Sequence, residues 1–509
     1  MPLFVRAKHI AHGAGTKLKH LRKIAVGADV FKLDQEMKLK DVVDLANQIA
    51  DGDPEIEYAE PDVRMREALI PNDPLYLTWQ WNYYDLVGGI NLPTAWDKSN
   101  GKGVVVAVLD SGYLAHGDLV ANLLPGWDMV GNILASNDGI GRDGDASDPG
   151  NWAFAGQCGV GWPAVNSNWH GTKVAGVIGA VANNGIGVAG VAHGAKILPV
   201  RVVGRCLAFS SDITNGISWS VGAPVTGAPI NSAPAKVINI SIGEKFSCLE
   251  SYQAAIDTAR NRGAVVIVSS GNDGSDANNA TPANCVGVVS VASTNRSGGR
   301  SWFSNYGFLL DIAAPGEGIW TTSNTGLTVP VADTFGAVSG TSFSAPQVAG
   351  VAALMLSVNP ILTPDAVESM LKSTARPFPA PCVGCGTGIL NANAAVDRAK
   401  KLYVKISPSP INITRPSSTF ITTISATPNS LVANGIPPYT YTWTVTSTYP
   451  TLTNSTPSAS STTITSRVPL CEHSVGIATV TVKDALGSVA TATTDIDFWA
   501  KPAVGVICP

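Results

Sequence analysis

The middle of the chain alternates short, continuous apolar runs with longer segments in which apolar residues recur every three or four positions. Continuous apolar runs are typical of strands buried on both faces, and the three-to-four spacing is typical of helices. Their alternation predicts an α/β fold with a parallel sheet. We expect strands at residues 104–109, 197–203, 237–240, 265–269 and 286–292. We expect helices at residues 171–181, 211–220 and 251–262.

The pattern changes on both sides of this middle part, which we place at residues 70–401. Residues 1–69 predict a small α+β unit, with a strand near 25–33, a helix at 38–50 and an edge strand at 55–64. Residues 417–509 are rich in Ser and Thr and alternate like the strands of a β-sandwich, as at 439–445 and 478–483. A disordered stalk is the alternative, but the aromatic residues argue against it. Prolines 408, 410 and 416 predict a stiff linker over 402–416.

Composition narrows the classes of protein to which the chain can belong. Charged residues are only 14% of the chain and the formal net charge is −4, which gives no electrostatic reason to expect nucleic acid or an anionic membrane as a partner. No apolar run approaches the roughly 18 residues of a membrane span.

The cysteine count is even, at eight, which with few charges predicts disulfides in an exported protein. Buried free thiols are the alternative. We expect neighbours in sequence to pair, as Cys158–Cys206, Cys248–Cys285, Cys382–Cys385 and Cys471–Cys508. The spacing of Cys382 and Cys385 also fits a redox pair or half of a metal site, although no second such pair and no nearby histidine supports either. The first residues lack the apolar segment of a signal peptide, so we expect an internal start or a removed leader.

Four polar residues stand where parallel sheets place active sites, at strand ends and helix starts. Asp110 ends a predicted strand in VAVLDSG (106–112), and Asn272 follows another in VVIVSSGNDG (265–274). His170 precedes a helix in NWHGTKVAG (168–176), and Ser342 opens one in SGTSFSAPQVAG (339–350). Each residue alone has a structural explanation: a turn, a buried histidine or a helix cap. The backbone N–H groups beside Ser342 are suited to stabilising an oxyanion, to which the Asn272 amide could also donate.

The order Asp110, His170, Asn272, Ser342, within these flanking segments, resembles the subtilases, the subtilisin-like serine endopeptidases. The resemblance covers about residues 71–401. It implies that Ser342 is the nucleophile and that His170 is the general base and then the general acid. It also implies that Asp110 orients the imidazole, while Asn272 and the Ser342 N–H form the oxyanion hole.

The resemblance extends to segments that bind substrate. It implies that residues 239–243 pair with an extended peptide substrate. The primary specificity pocket would be lined by Ser241, Ile242, Gly243, Ser269, Ser270 and Gly271. Because none of these residues is charged, we expect broad specificity with a preference for apolar or small side chains. A narrowly specific processing protease is the alternative among enzymes, and a binding or adhesion protein on an inactive protease scaffold is the alternative outside them.

The loop at residues 183–190 resembles the calcium loop of the subtilases, although a glycine-rich turn without an ion is the alternative. The implied ligands are the side chains of Asp73, Asp118 and Asn184 and the carbonyls of Ala182, Ile186 and Val188. The segment between Asp110 and His170 is longer than in compact members of the family. Its acidic residues Asp143, Asp145 and Asp148 would hold a second Ca²⁺ or form a solvated acidic loop.

The flanking units also have counterparts in secreted bacterial subtilases. Residues 1–69 resemble the later part of the inhibitory propeptide, with cleavage expected within residues 65–72. The C-terminal unit resembles Ig-like or polycystic-kidney-disease sandwiches. We therefore expect a secreted monomer that acts on protein or peptide substrates and is inhibited by its own propeptide.

Overall fold

The protein is described by a computed structural model that covers residues 11–12, 15–25, 27–35, 37, 39–62, 70–206, 208–419 and 421–503. The chain forms two compact units, Met1–Ala68 and Leu69–Pro509. The finer division into domains stays a prediction, and the cleavage segment expected at 65–72 lies mostly outside the described residues.

The described part of the first unit contains a two-stranded antiparallel sheet and a helix of 13 residues. Its elements are β1 (Leu18–Lys23), β2 (Asp29–Leu33) and α1 (Leu39–Asp51). Leu45 and Ile49 on α1 are buried in a small core with Leu18 and Leu33 packed against it, as the helical spacing predicts. The edge strand expected at 55–64 is wrong for its described part, because residues 55–62 form no strand. An extended segment becomes a strand only where a neighbour accepts its hydrogen bonds, and Pro61 has no N–H to offer.

The second unit contains the predicted parallel sheet, with seven strands. In chain order the strands of this region are β3 (Val105–Asp110), β4 (Trp127–Asp128), β5 (Lys196–Arg201), β6 (Val237–Ile240), β7 (Glu244–Lys245), β8 (Val265–Ser269), β9 (Ala280–Thr281), β10 (Val289–Thr294) and β11 (Ile312–Pro315). The sheet order is β11-β10-β8-β6-β3-β5-β4, all parallel, while β7 pairs with β9 separately. The α/β fold class with a parallel sheet is confirmed.

Helices cover both faces of this sheet. They are α2 (Tyr76–Trp79), α3 (Trp81–Tyr84), α4 (Pro93–Trp96), α5 (Ile133–Ser136), α6 (His170–Gly179), α7 (Ser210–Ser220), α8 (Glu250–Asn261), α9 (Thr341–Val358), α10 (Pro364–Thr374) and α11 (Ala392–Ala399), with 3₁₀ turns at Val120–Asn122 and Ala277–Asn279. Val106 and Val108 of β3 lie in the core that contains α6 and α9, while Ala107 and Leu109 lie in the core that contains α7 and α8. Side chains alternate across a strand, so burial on both faces explains the continuous apolar runs.

Helix α9 is the core helix that carries Ser342. Within the described ranges it alone has the length and apolar composition of a membrane span, and 89% of it is buried inside the protein. It packs against α6, α11 and strands β6, β8 and β10. Its apolar character is therefore explained by its place in the core.

The C-terminal part is rich in strands, as expected for a β-sandwich. After the hairpin β12 (Ile319–Asn324) and β13 (Asp333–Val338) come β14 (Tyr403–Ser407), β15 (Ile411–Ser417), β16 (Ile421–Ala426), β17 (Asn429–Ala433), β18 (Thr440–Ser447), β19 (Leu452–Asn454), β20 (Ile464–Pro469), β21 (His473–Lys483) and β22 (Val489–Pro502). The sheets β15-β22-β21-β18 and β16-β20-β19 share one core, to which Trp443, Ile464 and Phe498 contribute.

The stiff linker expected at 402–416 is instead mostly strand. Strand β14 pairs with β17, and β15 pairs with β22 at the edge of its sheet. Pro408 and Pro410 lie in the connection between the two strands, and Pro416 lies on the edge strand, where a missing N–H is tolerated. The prolines mark strand boundaries and an edge rather than a spacer.

Candidate active site

The carboxyl ends of three neighbouring strands bring polar residues to one edge of the sheet. Asp110 is the last residue of β3, Ser241 directly follows β6, and Asn272 follows β8 by three residues. Strands β8, β6 and β3 are adjacent in the sheet. A crevice at this edge is where open parallel sheets bind ligands.

His170 is the first residue of α6 and is hydrogen-bonded to Asp110. Its Nδ1 lies 2.8 Å from Oδ1 and 2.9 Å from Oδ2 of Asp110, whose side chain is only 1% exposed. A carboxylate accepts hydrogen bonds, so Nδ1 carries the proton and neutral His170 keeps Nε2 free as a base. Burial lowers the His170 pKa, but the charge and hydrogen bond of Asp110 outweigh it, and the pKa is raised.

Ser342 lies at the N-terminus of α9, directly after Gly340 and Thr341. Gly340 has φ 151°, a backbone conformation that favours glycine. The Ser342 Oγ donates to the Ser241 carbonyl at 3.0 Å, and the Ser241 Oγ donates back to the Ser342 carbonyl at 2.9 Å. The second bond has a simple cause: Pro346, the sixth residue of the helix rather than part of its first turn, has no N–H for the Ser342 carbonyl.

His170 and the start of α9 are in contact through a ring. The imidazole packs against the Phe343 ring with centroids 5.5 Å apart. In this structure the Ser342 hydroxyl donates to Ser241 rather than to His170. Catalytic hydrogen bonds are often long or misaligned in a substrate-free enzyme, so this geometry is compatible with a serine that turns toward the imidazole when substrate binds.

Asn272 is held with its amide oxygen toward α9. Its Oδ1 accepts from the Thr341 N–H at 2.8 Å and from the Thr341 Oγ at 3.0 Å. A backbone N–H can only donate, which fixes the orientation of the amide and turns its NH₂ group away from Thr341. No described residue accepts from that NH₂ group or from the Ser342 N–H. The sequence did not predict this role of Thr341, which we considered only as part of the segment that contains Ser342.

The predicted pocket segments lie at the carboxyl ends of the neighbouring strands β6 and β8. Residues 241–243 and 269–271 contain no charged side chain. Asn305, which the sequence analysis missed, fixes the second segment: its Nδ2 donates to the Ser270 carbonyl at 2.8 Å, and its Oδ1 accepts from the N–H groups of Asp273 and Ser275, each at 3.0 Å. No local pattern marks an asparagine that braces a loop 30 residues earlier in the chain.

Two buried carboxylates lie together at the predicted calcium loop. Asp73 is 3% exposed and Asp118 is fully buried. The Oδ1 of Asp73 is buried without a described hydrogen-bond partner, which fits a site that needs an oxygen ligand for a cation. Burial raises the pKa of Asp118 to about 7, with a further contribution from the charge of Asp73.

The other predicted ligands surround the same loop. Asn184 donates its amide nitrogen to Asp118 Oδ1 at 2.7 Å, and its oxygen accepts from the Ile186 N–H at 2.8 Å. Asn184 therefore offers a donor to the Asp118 carboxylate, where the sequence predicted an oxygen ligand. The Val188 N–H also donates to Asp118, at 3.0 Å. Ala182 immediately precedes this loop.

The second calcium site expected at the three acidic residues of the insertion stays a prediction. Among the residues that the structure covers, no group of three His, Cys, Asp or Glu side chains is arranged to hold a metal. Asp143 and Asp145 each accept from a backbone N–H two residues ahead, which is typical of turns. Asp148 is instead 2% exposed and accepts from the Ser111 hydroxyl. In the structure, two of these carboxylates form turns and the third is buried.

Three of the predicted disulfides are present. They are Cys158–Cys206, Cys248–Cys285 and Cys382–Cys385. The fourth predicted pair includes Cys508, which lies outside the described residues. The first disulfide ties the insertion before His170 to the segment after β5, so the longer loop is anchored near its C-terminal end.

Comparison with known proteins agrees with this geometry. Residues 101–403 match the profile of the Subtilase family. The Extracellular protease of Xanthomonas campestris pv. campestris is 44% identical over 396 residues, which cover 77% of this chain and 68% of that protein. The Extracellular basic protease of Dichelobacter nodosus is 39% identical over 408 residues, covering 78% of this chain and 67% of that protein.

A solved structure agrees as well. A protease of Pseudoalteromonas arctica matches with a TM-score of 0.64 and 54% identity, over 65% of this chain and 99% of that chain. The resemblance drawn from the sequence is confirmed. This chain belongs to the subtilase family and is a serine endopeptidase.

Proposed function

We propose that the chain is a secreted endopeptidase that works through Asp110, His170 and Ser342 and an acyl-enzyme intermediate. The observation that carries the proposal is the His170–Asp110 pair, which leaves Nε2 free as a base on an imidazole that packs against Phe343, the residue after Ser342. Secretion is supported by the extracellular relatives and by the disulfides.

The reaction proceeds in two balanced halves. The Ser342 Oγ attacks the scissile carbonyl carbon while its proton moves to His170 Nε2, and the carbonyl oxygen becomes an oxyanion. When the intermediate collapses, the C–N bond breaks and the amine leaves with the proton from His170. Water then attacks the acyl ester by the same route, releasing the acid and restoring the serine. Asp110 stabilises the imidazolium that forms in each half.

The oxyanion would be met by two donors for which no described residue is an acceptor. These are the Ser342 N–H at the start of α9 and the NH₂ group of Asn272. Donors that are fixed before the reaction stabilise developing charge without reorganising, which is why they contribute mainly to the rate. Hydrolysis of casein by the purified chain, blocked by phenylmethylsulfonyl fluoride, tests the proposal. A protein that leaves casein intact or is indifferent to the reagent would contradict it.

We propose broad specificity, because the pocket segments 241–243 and 269–271 offer no charge to select a charged side chain. A peptide-library cleavage profile tests this. Cleavage spread over apolar and small residues is expected, whereas a profile restricted to one basic site would favour the processing protease.

As the pH is lowered, activity should be lost at a higher pH than it would be if His170 had the ordinary pKa of histidine. The reaction needs neutral His170, and Asp110 raises the pKa of this imidazole despite its burial. Raising the pKa extends the protonated, inactive form to higher pH, so the acidic limb of kcat/KM moves upward. A pH–rate profile measures this limb, and maximal activity near pH 4 would contradict the assignment of His170 as base.

We also propose that Asp73 and Asp118 hold a Ca²⁺ ion, with carbonyls of the 182–188 loop completing an oxygen site. The ion would neutralise two buried carboxylates that otherwise repel each other. Burial raises the pKa of Asp118 in the folded state to about 7. The protonated side chain therefore favours the folded state, and this contribution to stability is lost as the pH rises from the ordinary Asp pKa through about 7.

Calcium removal should therefore lower the Tm more at about pH 8 than at about pH 5, where the carboxylates are closer to neutral. A ligand present at 100 times its Kd stabilises the folded state by about 2.7 kcal/mol. Thermal unfolding with Ca²⁺ or with a chelator measures the difference. Asp118→Asn should lose the response, and Asp257→Asn, an exposed carboxylate on α8, should keep it. An equal response in Asp118→Asn would refute the site.

The first unit, by its resemblance to a propeptide, remains our proposed inhibitor, and we propose that the enzyme acts as a monomer. Adding the separate 1–69 segment to the mature enzyme should slow casein hydrolysis if it inhibits, and unchanged hydrolysis would argue against this role.

A further inference from the structure

Ser111 links three parts of the site by hydrogen bonds. Its backbone N–H donates to Asp110 Oδ1 at 2.8 Å. Its hydroxyl oxygen accepts from the Gly171 N–H at 3.0 Å, in the first turn of the helix that carries His170. The hydroxyl hydrogen is donated to Asp148 Oδ2 at 2.7 Å. A single residue therefore contacts the catalytic carboxylate, the histidine helix and the insertion.

Asp148 is buried and hydrogen-bonded within this arrangement. It is 2% exposed, and its second oxygen accepts from the Gly150 N–H at 2.9 Å. Its own N–H donates to the Tyr113 carbonyl at 2.8 Å, which ties the insertion to the segment after β3. With both oxygens engaged, the carboxylate has a fixed orientation toward Ser111.

The backbones around Ser111 approach too closely for side chains. A Cβ on Gly171 would collide with the Gly112 carbonyl oxygen, and a Cβ on Gly112 would lie 2.5 Å from the Ala146 carbonyl oxygen. The strand end with Asp110 is thus clamped between the histidine helix and the insertion. Because these backbones are tightly packed, we expect the loss of a hydrogen bond at Ser111 to displace Asp110 and His170 relative to each other.

Several charges surround the His170–Asp110 pair. Asp148 adds a second negative charge that favours the imidazolium, Lys173 opposes it from the next turn of α6, and Arg201, at the end of β5, acts on Asp148. Arg201 itself pairs with Asp128 and Asp138.

We propose that Asp148 is a positioning residue of the peptidase: through the Ser111 hydroxyl it fixes Asp110 against the helix of His170, and its charge supports the imidazolium during proton transfer. The proposal rests on the proposed roles of Asp110, His170 and Ser342. It also assigns a function to the insertion: the buried carboxylate of Asp148, which the sequence suggested as a calcium ligand, supports the catalytic pair.

The test is a double-mutant cycle of Asp148→Asn and Ser111→Ala in the full chain. Asn keeps the shape of the side chain but removes the charge, and Ala removes the connecting hydroxyl. Each single variant should lose about 10- to 100-fold in kcat/KM, mostly in kcat, as expected for a charged hydrogen bond. If Asp148 acts through Ser111, the double variant should lose little more than the worse single variant.

A second readout separates positioning from general destabilisation. Asp148→Asn removes a negative charge beside the imidazolium, so the acidic limb of kcat/KM should move to lower pH. Asp257→Asn is the matched control, because it removes an exposed carboxylate whose described partner is Gln253. It should leave both the rate and the limb unchanged.

Three results would overturn the proposal: wild-type kcat/KM in Asp148→Asn, additive losses in the double variant, or an unmoved acidic limb. If Asp148→Asn does not fold, Ser111→Ala is the deciding variant. Wild-type kcat/KM in Ser111→Ala would show that the Ser111 hydroxyl does not connect Asp148 to Asp110. Activity of the wild-type chain and its loss in Ser342→Ala are measured alongside. If both hold while the Asp148 variants behave as wild type, this inference fails and the proposed function stands.

Discussion

Ser342→Ala should lower kcat by about a million-fold, a loss typical of removing the nucleophile of a Ser-His-Asp triad. The acyl-enzyme cannot form without the hydroxyl, and only the oxyanion donors and substrate binding remain to accelerate water attack. The backbone should not change, because the Ser342 side chain makes one hydrogen bond, to the Ser241 carbonyl. Casein and peptide hydrolysis measure the loss, with Tm as the check on folding.

Ser344→Ala is the matched control for this variant. Ser344 lies two residues further along α9, and its hydroxyl donates to the Pro315 carbonyl, away from the proposed chemistry. Losing that hydrogen bond should lower the free energy of unfolding by about 1 kcal/mol and leave kcat nearly unchanged. Comparable activity in Ser342→Ala and Ser344→Ala would show that another residue is the nucleophile.

Asn272→Ala should lower kcat by about 10²- to 10³-fold with little change in KM, a loss typical of removing one oxyanion-hole donor. The effect falls on kcat because the amide meets charge that exists only in the transition state. Steady-state kinetics on a peptide substrate separate the two constants. Asn278→Ala, which alters an exposed asparagine that contacts Asp276, should leave both constants at wild-type values.

Asn272→Asp distinguishes catalysis from support of the helix. Aspartate keeps an oxygen to accept from Thr341 but replaces the NH₂ donor with a negative oxygen that repels an oxyanion. We expect a loss at least as large as in Asn272→Ala. Near-normal kcat in Asn272→Asp would mean that the residue only holds Thr341 in place.

The sheet could be predicted because its strands are buried on both faces, so their apolar runs are continuous and easily seen. Strand ends agree with the prediction to within three residues, as for β3 and β10. Strands whose pairing depends on distant partners were missed. Strand β15 pairs with β22, some 80 residues later, and nothing local distinguishes its Pro-containing sequence from a spacer.

The four proposed catalytic residues could be selected from the sequence because each stands at a strand end or helix start within a specific segment. The residues that hold them could not. Thr341 orients Asn272 and Asp148 contacts Ser111 only because loops fold back over long separations in sequence. For Asp148, its acidic neighbours in the insertion suggested either a calcium site or a solvated acidic loop, while its burial is a property of the folded chain.

The central claim is that Ser342 is activated by His170, and covalent labelling tests it most directly. We expect phenylmethylsulfonyl fluoride to add one sulfonyl group to the wild-type enzyme, located by mass spectrometry of the digested protein on the peptide that contains Ser342. The same reagent should leave that peptide unmodified in His170→Ala, because the hydroxyl then has no base to remove its proton. A label on a different residue, or equal labelling of Ser342 without His170, would contradict the account.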